Sequence, residues 1–471
     1  MLCFLLNNRI LSQVRQRNLI NKNQTGFKEK HRTADNLLTL KNVVKKYVTI
    51  GKGKIYACFI DFKKAYDSVW HEGLFTKMRK NLLGGKLLDV IRDIYKKTKC
   101  AVKIGGNCTQ FFSITKGVRQ GCPLSPILFN LYVNDIFEII NENNDSNLYL
   151  TQDVFINALM YADDLILLSD TAEGLQKQIN KLSKYCEQWR LNINLKKPKI
   201  MIFNRGNKLI KSEFTLNEKV LENVKSMKYL GFKINAKNCS FLETLDELSI
   251  KAKRTIYAIN NTMKISQIPI KLTLKLFDTL IKPILLYGAE VWGIYTNFDY
   301  STWENSKIEM IQTQFLKRAL GCNVQTSNNM TRGEVGARPL LTDVNFKVIT
   351  YIKNILERNE SIVYSSLEFK KNNQVKPNLL QYINNFDLCL DENTLNENRK
   401  KNKIKCQDNY DRIWHLKIME SPKAISYCKF KYIVGLEKYL YKVRNIRHRI
   451  SLTRLIFKCL IINFFLKLED I

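Results

Sequence analysis

The stretch Ile156-Asn-Ala-Leu-Met-Tyr161-Ala-Asp163-Asp164-Leu-Ile-Leu-Leu168 carries two adjacent carboxylates between two apolar runs. Apolar, β-favouring runs on both sides of a short polar dip predict a hairpin of two mostly buried strands. Carboxylates beside a core are costly unless a cation or hydrogen-bond donors compensate their charge. Asp163 and Asp164 at the hairpin tip therefore indicate a metal site. A solvated Asp-Asp turn is the alternative that these residues alone leave open.

A second apolar strand lies upstream and also ends in an acid. It reads Ile55-Tyr-Ala-Cys-Phe-Ile-Asp61 and is followed by Phe62-Lys-Lys-Ala-Tyr66-Asp67. Two strands that each bring a carboxylate to one place are the arrangement that two-metal phosphoryl transfer requires. This second strand favours the metal site over the solvated turn.

Three sequence blocks occur in a specific order. They read Phe59-Ile-Asp61-Phe-Lys-Lys-Ala-Tyr66-Asp67, Gly117-Val-Arg-Gln120-Gly121-Cys-Pro-Leu-Ser125-Pro126 and Tyr161-Ala-Asp163-Asp164. In this order the chain resembles the reverse transcriptases of non-LTR, LINE-type retrotransposons. The resemblance implies an α+β right-hand polymerase with an antiparallel-sheet palm, partial fingers, a helical thumb and an α-rich C-terminal region. It also implies an RNA-directed DNA polymerase whose partners are an RNA template, a DNA primer and dNTPs.

The resemblance assigns roles to residues around these blocks. Asp61 and Asp163 are expected to bridge two Mg²⁺ ions, with Mn²⁺ as an alternative metal and Asp164 as a weaker third carboxylate. The carbonyl of Phe62 is expected to complete the coordination. Lys197 matches a lysine proposed to protonate the leaving pyrophosphate, although Pro198 stands where the family usually has Thr. The residues expected to contact the incoming nucleotide or its template pair are Tyr66, Gln120 and Gly121.

Two further segments resemble nucleic-acid contacts of the family. The segment Gln24-Thr-Gly26-Phe27-Lys-Glu-Lys-His31-Arg32 is similar to one that lines the template path in the fingers. Its Lys, His and Arg side chains suit phosphate and base contacts. The same residues could equally form a basic loop that only leads into the next helix. The second segment, which resembles the primer grip, is Tyr229-Leu230-Gly231-Phe232.

Helical and turn patterns organise the sequence around the blocks. Ser125-Pro126 predicts a helix through about Ile140, with Ser as the N-cap and Pro at the first helical position. Gly105-Gly106 predicts a hairpin turn. Other helices are predicted over about 7–22, from Leu37 to Tyr47, over 71–82, over 86–97 and from Leu175 to Trp189, with a strand over 200–203.

Long helical patterns begin near residue 241. Their expected core positions are Leu242, Leu245, Leu248, Ala252 and Ile256, then Leu276, Leu280 and Ile284, then Ile308, Ile311, Phe315 and Ala319. Basic residues are expected on the other faces, as in a thumb that clamps a duplex or as a plain solvated surface: Lys251, Lys253, Arg254, Lys275, Lys317 and Arg318. Residues 367–410 are rich in Asn and Lys and predict a flexible linker.

Composition supports a globular protein with a polyanionic partner. The chain has 471 residues, 45% of them hydrophobic, and a formal net charge of +33. Such charge favours nucleic-acid binding through counterion release, although a Lys- and Asn-rich coding bias could also produce it. The predicted domains are partial fingers over 1–50, palm over 51–235, thumb over 236–325 and a C-terminal region over 326–471. Compared with the family, the chain is expected to be truncated at both ends.

Two alternative functions stay open at this level. One is an element remnant that binds RNA without polymerising, and the other is a group II intron maturase-like protein. The sequence predicts an intracellular, soluble protein without a membrane span. It does not distinguish the nucleus from a cytoplasmic ribonucleoprotein, and it gives no oligomeric state.

Overall fold

The computed structural model describes residues 1–457 except 82, 143–145, 195–196, 207–208, 296–299, 359–360, 367–398, 422–423, 425–426 and 428–430. The chain divides into two compact units. The first unit comprises residues 1–240 and 358–374, and the second comprises residues 241–357 and 375–471.

A five-stranded mixed sheet is the centre of the first unit. Its strands are β1 (Ile55–Asp61), β6 (Ala158–Tyr161), β7 (Asp164–Ser169), β8 (Lys199–Phe203) and β11 (Glu222–Asn223), in the order β11-β8-β1-β7-β6. The four longer strands run antiparallel, whereas β11 pairs parallel with β8. The expected antiparallel sheet is therefore correct except at this edge. The predicted hairpin is confirmed as β6 and β7.

The central strands are apolar on both faces because both faces are covered. From Ala57 to Ile60 and from Leu165 to Leu168 every side chain is at most 4% exposed. Such continuous apolar runs are typical of strands buried on two sides. The predicted helix behind the sheet is present as α8 (Ala172–Gln188), whose N-cap Thr171 accepts a hydrogen bond from the Gly174 amide at 3.1 Å. This helix packs on β1 and β7.

The first unit contains every other helix that the sequence predicts in this part of the chain, with ends shifted by several residues, and one short helix that the sequence does not predict. They are α1 (Leu2–Gln16), α2 (Thr33–Val44), α3 (Ala65–Ser68), α4 (His71–Lys80), α5 (Gly85–Lys96), α6 (Ser125–Val133) and α7 (Ile136–Asn141). A π-helical turn, Lys45–Ile50, continues α2. The N-terminal helix buries Leu6, Ile10 and Val14, and it spans Leu2–Gln16 rather than about 7–22.

The helix after the second block differs from its prediction. The N-cap of this helix is Leu124, and Ser125 is already helical, so Ser125 is not the N-cap as predicted. The Ser125 hydroxyl instead donates to the carbonyl of Arg119 at 2.5 Å and closes the preceding loop. The helix also breaks after Val133 and restarts at Ile136.

Short hairpins complete the strand set. The predicted turn at Gly105-Gly106 is confirmed, because both glycines have positive φ and the strands on either side pair. The turn at Leu230-Gly231 has φ values of 46° and 82°, which is the geometry that joins two strands through a tight two-residue loop. The strands outside the five-stranded sheet are β2 (Lys99–Cys100), β3 (Lys103–Ile104), β4 (Asn107–Cys108), β5 (Phe112–Ser113), β9 (Thr215–Leu216), β10 (Lys219–Val220), β12 (Ser226–Tyr229) and β13 (Phe232–Asn235).

The second unit is helical in its described residues. Its α-helices are α9 (Leu242–Thr262), α10 (Ile270–Leu276), α11 (Lys282–Leu285), α12 (Ala289–Trp292), α13 (Tyr300–Trp303), α14 (Lys307–Leu320), α15 (Asn328–Val335), α16 (Leu340–Leu356), α17 (Arg399–Met419), α18 (Tyr439–Lys442) and α19 (Ile446–Phe457). Short 3-10 turns occupy Ile265–Gln267 and Gly293–Tyr295, and a π-helical turn, Phe277–Ile281, joins α10 to α11.

Several positions in the second unit differ from expectation. The apolar residues around 276–284 cover a broad arc of the helix opposite Lys275, Asp278 and Lys282, so their period alone does not define which stripe of that arc is buried. Thr273, Phe277, Ile281 and Leu285 are buried, one residue out of phase with the expected face, and Leu280 is 46% exposed. Leu242, expected in the core, is 70% exposed because it begins its helix.

Two further predictions are wrong or only partly tested. Lys317 is 8% exposed and donates to the carbonyl of Val324 at 2.7 Å. It therefore stabilises the end of its helix and is not part of an exposed basic surface. Residues 399–410, expected in a linker, belong to α17. The rest of that predicted linker, 367–398, lies outside the described residues. None of the helices in the described part of the chain combines the length and apolarity that a membrane crossing needs.

Candidate active site

Strand pairing brings the predicted carboxylates to one end of the sheet. Asp61, the last residue of β1, lies opposite Asp164, the first residue of β7. Asp164 also pairs with Tyr161 across the hairpin. Asp163 occupies the intervening turn beside Ala162, whose φ of 57° is left-handed. Residues about 100 positions apart in sequence thus form one acidic cluster, defined here as Asp61, Asp163 and Asp164.

The acidic cluster lacks enough compensating charge. Burial, followed by the nearby charges of Asp163 and Asp61, raises the pKa of Asp164 to about 6. Burial and the charge of Asp61 also raise the pKa of Asp163. Like charges beside a low-dielectric core disfavour ionisation, and a bound cation would reverse that effect. The cluster therefore has the electrostatics of a cation site.

The donor set fits a hard divalent ion but does not form a closed cage. Carboxylate oxygens are the ligands that Mg²⁺ prefers, usually one or two carboxylates together with substrate phosphates and water. Within the described ranges, no three Asp, Glu, His or Cys side chains converge closely enough to hold a metal by themselves. Substrate oxygens would have to complete any such site.

Two polar side chains hold Asp61. The ammonium of Lys197 lies 2.9 Å from Asp61 Oδ2, and the amide nitrogen of Asn194 donates to the same oxygen at 3.2 Å. The hydrogen bond to Asp61 raises the pKa of Lys197. The Lys197 side chain is 61% exposed, so it can move away from Asp61. Sequence analysis identified Lys197 and missed Asn194, although Asn194 lies only three residues earlier.

Tyr66 lies beside the acidic cluster in an aromatic stack. Its ring stacks on Phe129 with 4.8 Å between centroids, and the edge of Phe27 approaches at 6.3 Å. The buried Tyr66 hydroxyl has no hydrogen-bond partner within the described chain. Burial and the charge of Asp163 raise its pKa. Packing against two rings restricts the Tyr66 side chain next to the carboxylates.

The second sequence block is held against the segment that carries Tyr66. The Val118 amide donates to the carbonyl of Tyr66 at 2.8 Å, and the Gln120 side chain donates to Asp67 at 3.1 Å. Gly117 has a φ of 92°, and a Cβ there would lie 2.9 Å from the Asp67 carbonyl oxygen. Gln120 and Gly121 are exposed at the end of this loop. The block is thus positioned beside Tyr66 with its polar end accessible.

The residues expected to line the template path divide into buried and exposed groups. Gln24 is 1% exposed and bonds to Ala162 of the hairpin, and Gly26 is buried against the same residue. Phe27 is 54% exposed, and Arg32 is exposed at the start of α2. The His31 ring lies 3.1 Å from the carboxylate of Asp35.

In the expected primer-grip hairpin, the tip is exposed to solvent and the tyrosine is buried. Tyr229 is 5% exposed, its ring lies 5.6 Å from that of Phe59 in β1, and its hydroxyl accepts a hydrogen bond from Asn36 at 3.3 Å. Gly231 is exposed and Leu230 is half-buried. The Tyr229 side chain therefore attaches the hairpin to the sheet.

Sequence reasoning missed one buried ion pair in this unit. Arg358 donates to both oxygens of Asp35, at 2.7 and 3.3 Å, and the Asp35 side chain is fully buried. The partners are 323 residues apart. No local pattern signals a contact of this kind.

Comparison with known proteins agrees with the geometry. Residues 2–234 match the profile of a family described as reverse transcriptase (RNA-dependent DNA polymerase). A probable RNA-directed DNA polymerase from transposon BS of Drosophila melanogaster is 24% identical over 328 residues, which are 68% of this chain and 34% of the relative. A Pol polyprotein of the type-1 retrotransposable element R2 from Nasonia vitripennis is 30% identical over 37% of this chain and 16% of its own length.

A solved telomerase structure also aligns. The telomerase of Candida albicans, in complex with a fragment of telomeric RNA, covers 80% of this chain and 54% of its own, with 13% identity and a TM-score of 0.39. Among the curated transposon relatives, the chain spans about one third of their length.

Proposed function

Residues 2–234 belong to the reverse transcriptase family, and on that premise we propose that this chain copies RNA into DNA as the polymerase of a non-LTR retrotransposon. The single observation that carries the proposal is the pairing of Asp61 with Asp164, next to Asp163. This pairing supports the proposal, because three neighbouring carboxylates are suited to a reaction between a triphosphate and a primer end. No feature of the site favours an RNA-binding remnant or a maturase.

The acidic cluster is the proposed site of two divalent ions. Asp61 and Asp163 would hold the ions, with Asp164 as the weaker third carboxylate and the carbonyl of Phe62 as a further ligand. Bound Mg²⁺, or Mn²⁺ with the same oxygen ligands, would activate the primer 3′-hydroxyl and neutralise charge on the leaving pyrophosphate. The raised pKa of Asp164, caused by burial and its carboxylate neighbours, supports this assignment.

Lys197 would hold a proton for the leaving group. Its exposed ammonium lies on Asp61, and the neighbouring carboxylates keep it protonated. Its exposed side chain would reach from Asp61 to the anionic pyrophosphate and donate that proton there. Pro198 fixes the backbone φ directly after Lys197.

Tyr66 and the second block would contact the incoming nucleotide. Tyr66 is restricted by Phe129 and Phe27 and would lie beneath the sugar. The exposed Gln120 and Gly121 would lie near the template–nucleotide pair. Together they would select a deoxynucleotide that pairs with RNA.

The proposed nucleic-acid contacts use the exposed members of the two remaining segments. Phe27 and Arg32 would contact the template, with His31 and Gly26 shaping that path, and Leu230-Gly231 would support the primer end beside the buried Tyr229. The proposed division is that of a right hand, with partial fingers over 1–50, palm over 51–235, thumb over 236–325 and a C-terminal region over 326–471. The exposed thumb cations would be Lys251, Lys253, Arg254, Lys275 and Arg318.

Primer extension tests this function. The protein is incubated with poly(rA) template, oligo(dT) primer, dTTP and Mg²⁺, and elongated primer is resolved on a gel. We expect extension that stops when a chelator removes the divalent ion. A folded protein that binds the RNA but extends no primer with either Mg²⁺ or Mn²⁺ would disprove the proposal.

A further inference from the structure

Gln24 makes three hydrogen bonds at the turn that carries the catalytic carboxylates. Its Oε1 accepts from the amides of Ala162 and Gly26, at 3.1 and 2.9 Å. Its Nε2 donates to the carbonyl of Ala162 at 3.1 Å. The opposite orientation of the amide would set donors against donors, so the contacts define which end faces which group.

Gln24 reaches Ala162 because its segment joins the sheet edge. The Met160 amide donates to the carbonyl of Asn23 at 2.9 Å, and the Thr25 amide donates to the carbonyl of Met160 at 3.0 Å. This short parallel bridge aligns residues 23–25 beside β6. Thr25 is fully buried, and its hydroxyl donates to Asn36 at 2.8 Å. The Gln24 side chain therefore acts from a fixed backbone.

Ala162 needs such support. Its φ of 57° is in the left-handed region, which residues with a Cβ adopt mainly where surrounding contacts hold them. Gln24 binds both the amide and the carbonyl of this one residue, so it restrains both peptide groups of the turn. Asp163 is the next residue, and its carboxylate direction follows from the backbone of Ala162.

A close backbone approach at Gly26 supports the same conclusion independently. A Cβ at Gly26 would lie 2.1 Å from the Ala162 nitrogen and 2.9 Å from the Tyr161 carbonyl carbon. The Gly26 carbonyl in turn accepts a hydrogen bond from Asn130 at 2.8 Å, which attaches it to α6. Residues 24 and 26 thus contact the turn from one side without any gap.

We propose that Gln24 is a positioning residue that holds the Ala162 turn, and through it Asp163 and Asp164, in the geometry needed for nucleotidyl transfer. This inference rests on the proposed polymerase function. It differs from a template contact, because the Gln24 side chain is 1% exposed and its bonding groups are directed at the hairpin.

The test uses Gln24→Met, which keeps the length of the side chain and removes its hydrogen bonds. Gln178→Met is the matched control, since Gln178 is also 1% exposed and donates at 3.0 Å to Leu168, farther along β7. We expect kcat for Gln24→Met to fall about 100-fold, because small misplacements of reacting groups lower the rate by about this factor. The dNTP KM and the RNA Kd should stay within about threefold of wild type, and Gln178→Met should keep kcat within about threefold.

Hydrogen exchange supplies a readout that does not need activity. Gln24→Met should speed amide exchange at 161–165, whereas Gln178→Met should speed it only near Leu168. If the wild-type chain does not polymerise, the proposed function fails, yet this exchange contrast still decides whether Gln24 holds the turn. Unchanged exchange at 161–165 would overturn the inference.

Two kinetic outcomes would also overturn it. A weaker RNA Kd with unchanged kcat would make Gln24 a template contact, and equal kcat losses in both variants would make it a general core residue. Should Gln24→Met not fold, Gln24→Glu keeps an oxygen that can accept from both amides, but it replaces the donation to Ala162 with a second carboxylate oxygen that repels the Ala162 carbonyl and adds negative charge beside the acidic cluster. That variant should lose about tenfold in kcat, and an unchanged kcat would contradict the proposal.

Discussion

At the scale of single residues, Gly26 has the tightest approach to the active-site turn. Replacing it with Ala would place a methyl group 2.1 Å from the Ala162 nitrogen, so the hairpin must move. We expect Gly26→Ala to lower the free energy of unfolding by about 3 kcal/mol and to reduce polymerase activity more than 10-fold. Chemical denaturation and primer extension measure both effects.

Gly84→Ala is the control for that change. A Cβ at Gly84 meets no atom within 4 Å. The polymerase activity of the Gly84→Ala variant should equal that of wild type. Equal behaviour of the two variants would show that the contact between Gly26 and the hairpin is not required.

Tyr66 carries the prediction on sugar choice. Its ring is fixed by Phe129, and a 2′-hydroxyl above it would meet a side chain that cannot yield cheaply. Tyr66→Val should raise kcat/KM for ribonucleotides relative to deoxynucleotides about 100-fold, equivalent to about 2.7 kcal/mol of lost selectivity. Competitive incorporation of rUTP and dTTP measures this ratio.

Tyr56→Val serves as the comparison, because Tyr56 packs on Phe214 at the opposite end of β1. It should keep the wild-type sugar preference. An active Tyr66→Val enzyme with unchanged preference would assign Tyr66 to the core instead.

At the scale of elements, the sequence contains most of what is needed to predict the catalytic sheet. The alternation of apolar runs and acids predicts β1 and the β6–β7 hairpin, and together these account for Asp61, Asp163 and Asp164. Short-range chemistry also predicts the turn at Gly105-Gly106. These features are local, so neighbouring residues encode them.

What sequence reasoning could not find depends on distant contacts or on ambiguous periodicity. Gln24 and Ala162 are 138 residues apart, and nothing near either residue indicates the other. The buried stripe of the 270–285 segment is ambiguous in sequence because its apolar residues cover a broad arc of the helix, and its π-helical turn buries Phe277 and Ile281. The sequence predicts Lys317 as a surface cation, because the contact with Val324 after the end of its helix has no local signal.

Three helices behind the sheet meet at a buried lysine. Lys77 of α4 is 2% exposed and donates to the carbonyl of Tyr132 at 2.5 Å, to Asp135 at 2.7 Å and to the hydroxyl of Tyr185 at 2.6 Å. Its ammonium also lies 3.8 Å from the ring centre of Trp189. Burial, only partly offset by Asp135, lowers the pKa of Lys77 from 10.5 to about 8.

The lowered pKa of Lys77 gives stability a defined pH dependence. Between pH 8 and 10.5 the unfolded chain holds a proton on Lys77 that the folded chain has largely released, so the contribution of Lys77 to stability rises with pH. From pH 8 to 9 this contribution grows by about 1 kcal/mol. Buried thiols with a raised pKa, such as Cys186 and Cys239, act in the opposite sense, so urea denaturation at the two pH values measures the gain as the difference between wild type and Lys77→Met.

Lys77→Met should remove this gain, whereas Lys80→Met, on the exposed side of the same helix, should keep it. A wild-type stability that falls over this interval by the same amount in all three proteins would contradict the prediction.

At the scale of the whole molecule, the formal net charge of +33 predicts salt-sensitive RNA binding. If six or more cations contact phosphates, counterion release should weaken the affinity for poly(rA) at least about 100-fold between 50 and 200 mM salt. Fluorescence anisotropy with a labelled oligo(rA) measures this slope. An affinity that is independent of salt would show that the charge has another origin.

The central claim is that the acidic cluster at the end of the sheet performs nucleotidyl transfer, and one measurement tests it most directly. Primer extension on poly(rA)/oligo(dT) is compared for wild type, Asp163→Asn and Asp153→Asn, which removes the same charge from an exposed loop. We predict that Asp163→Asn loses about 100-fold or more in rate while its RNA affinity is unchanged, and that Asp153→Asn retains wild-type activity. Extension by Asp163→Asn at the wild-type rate would contradict the account.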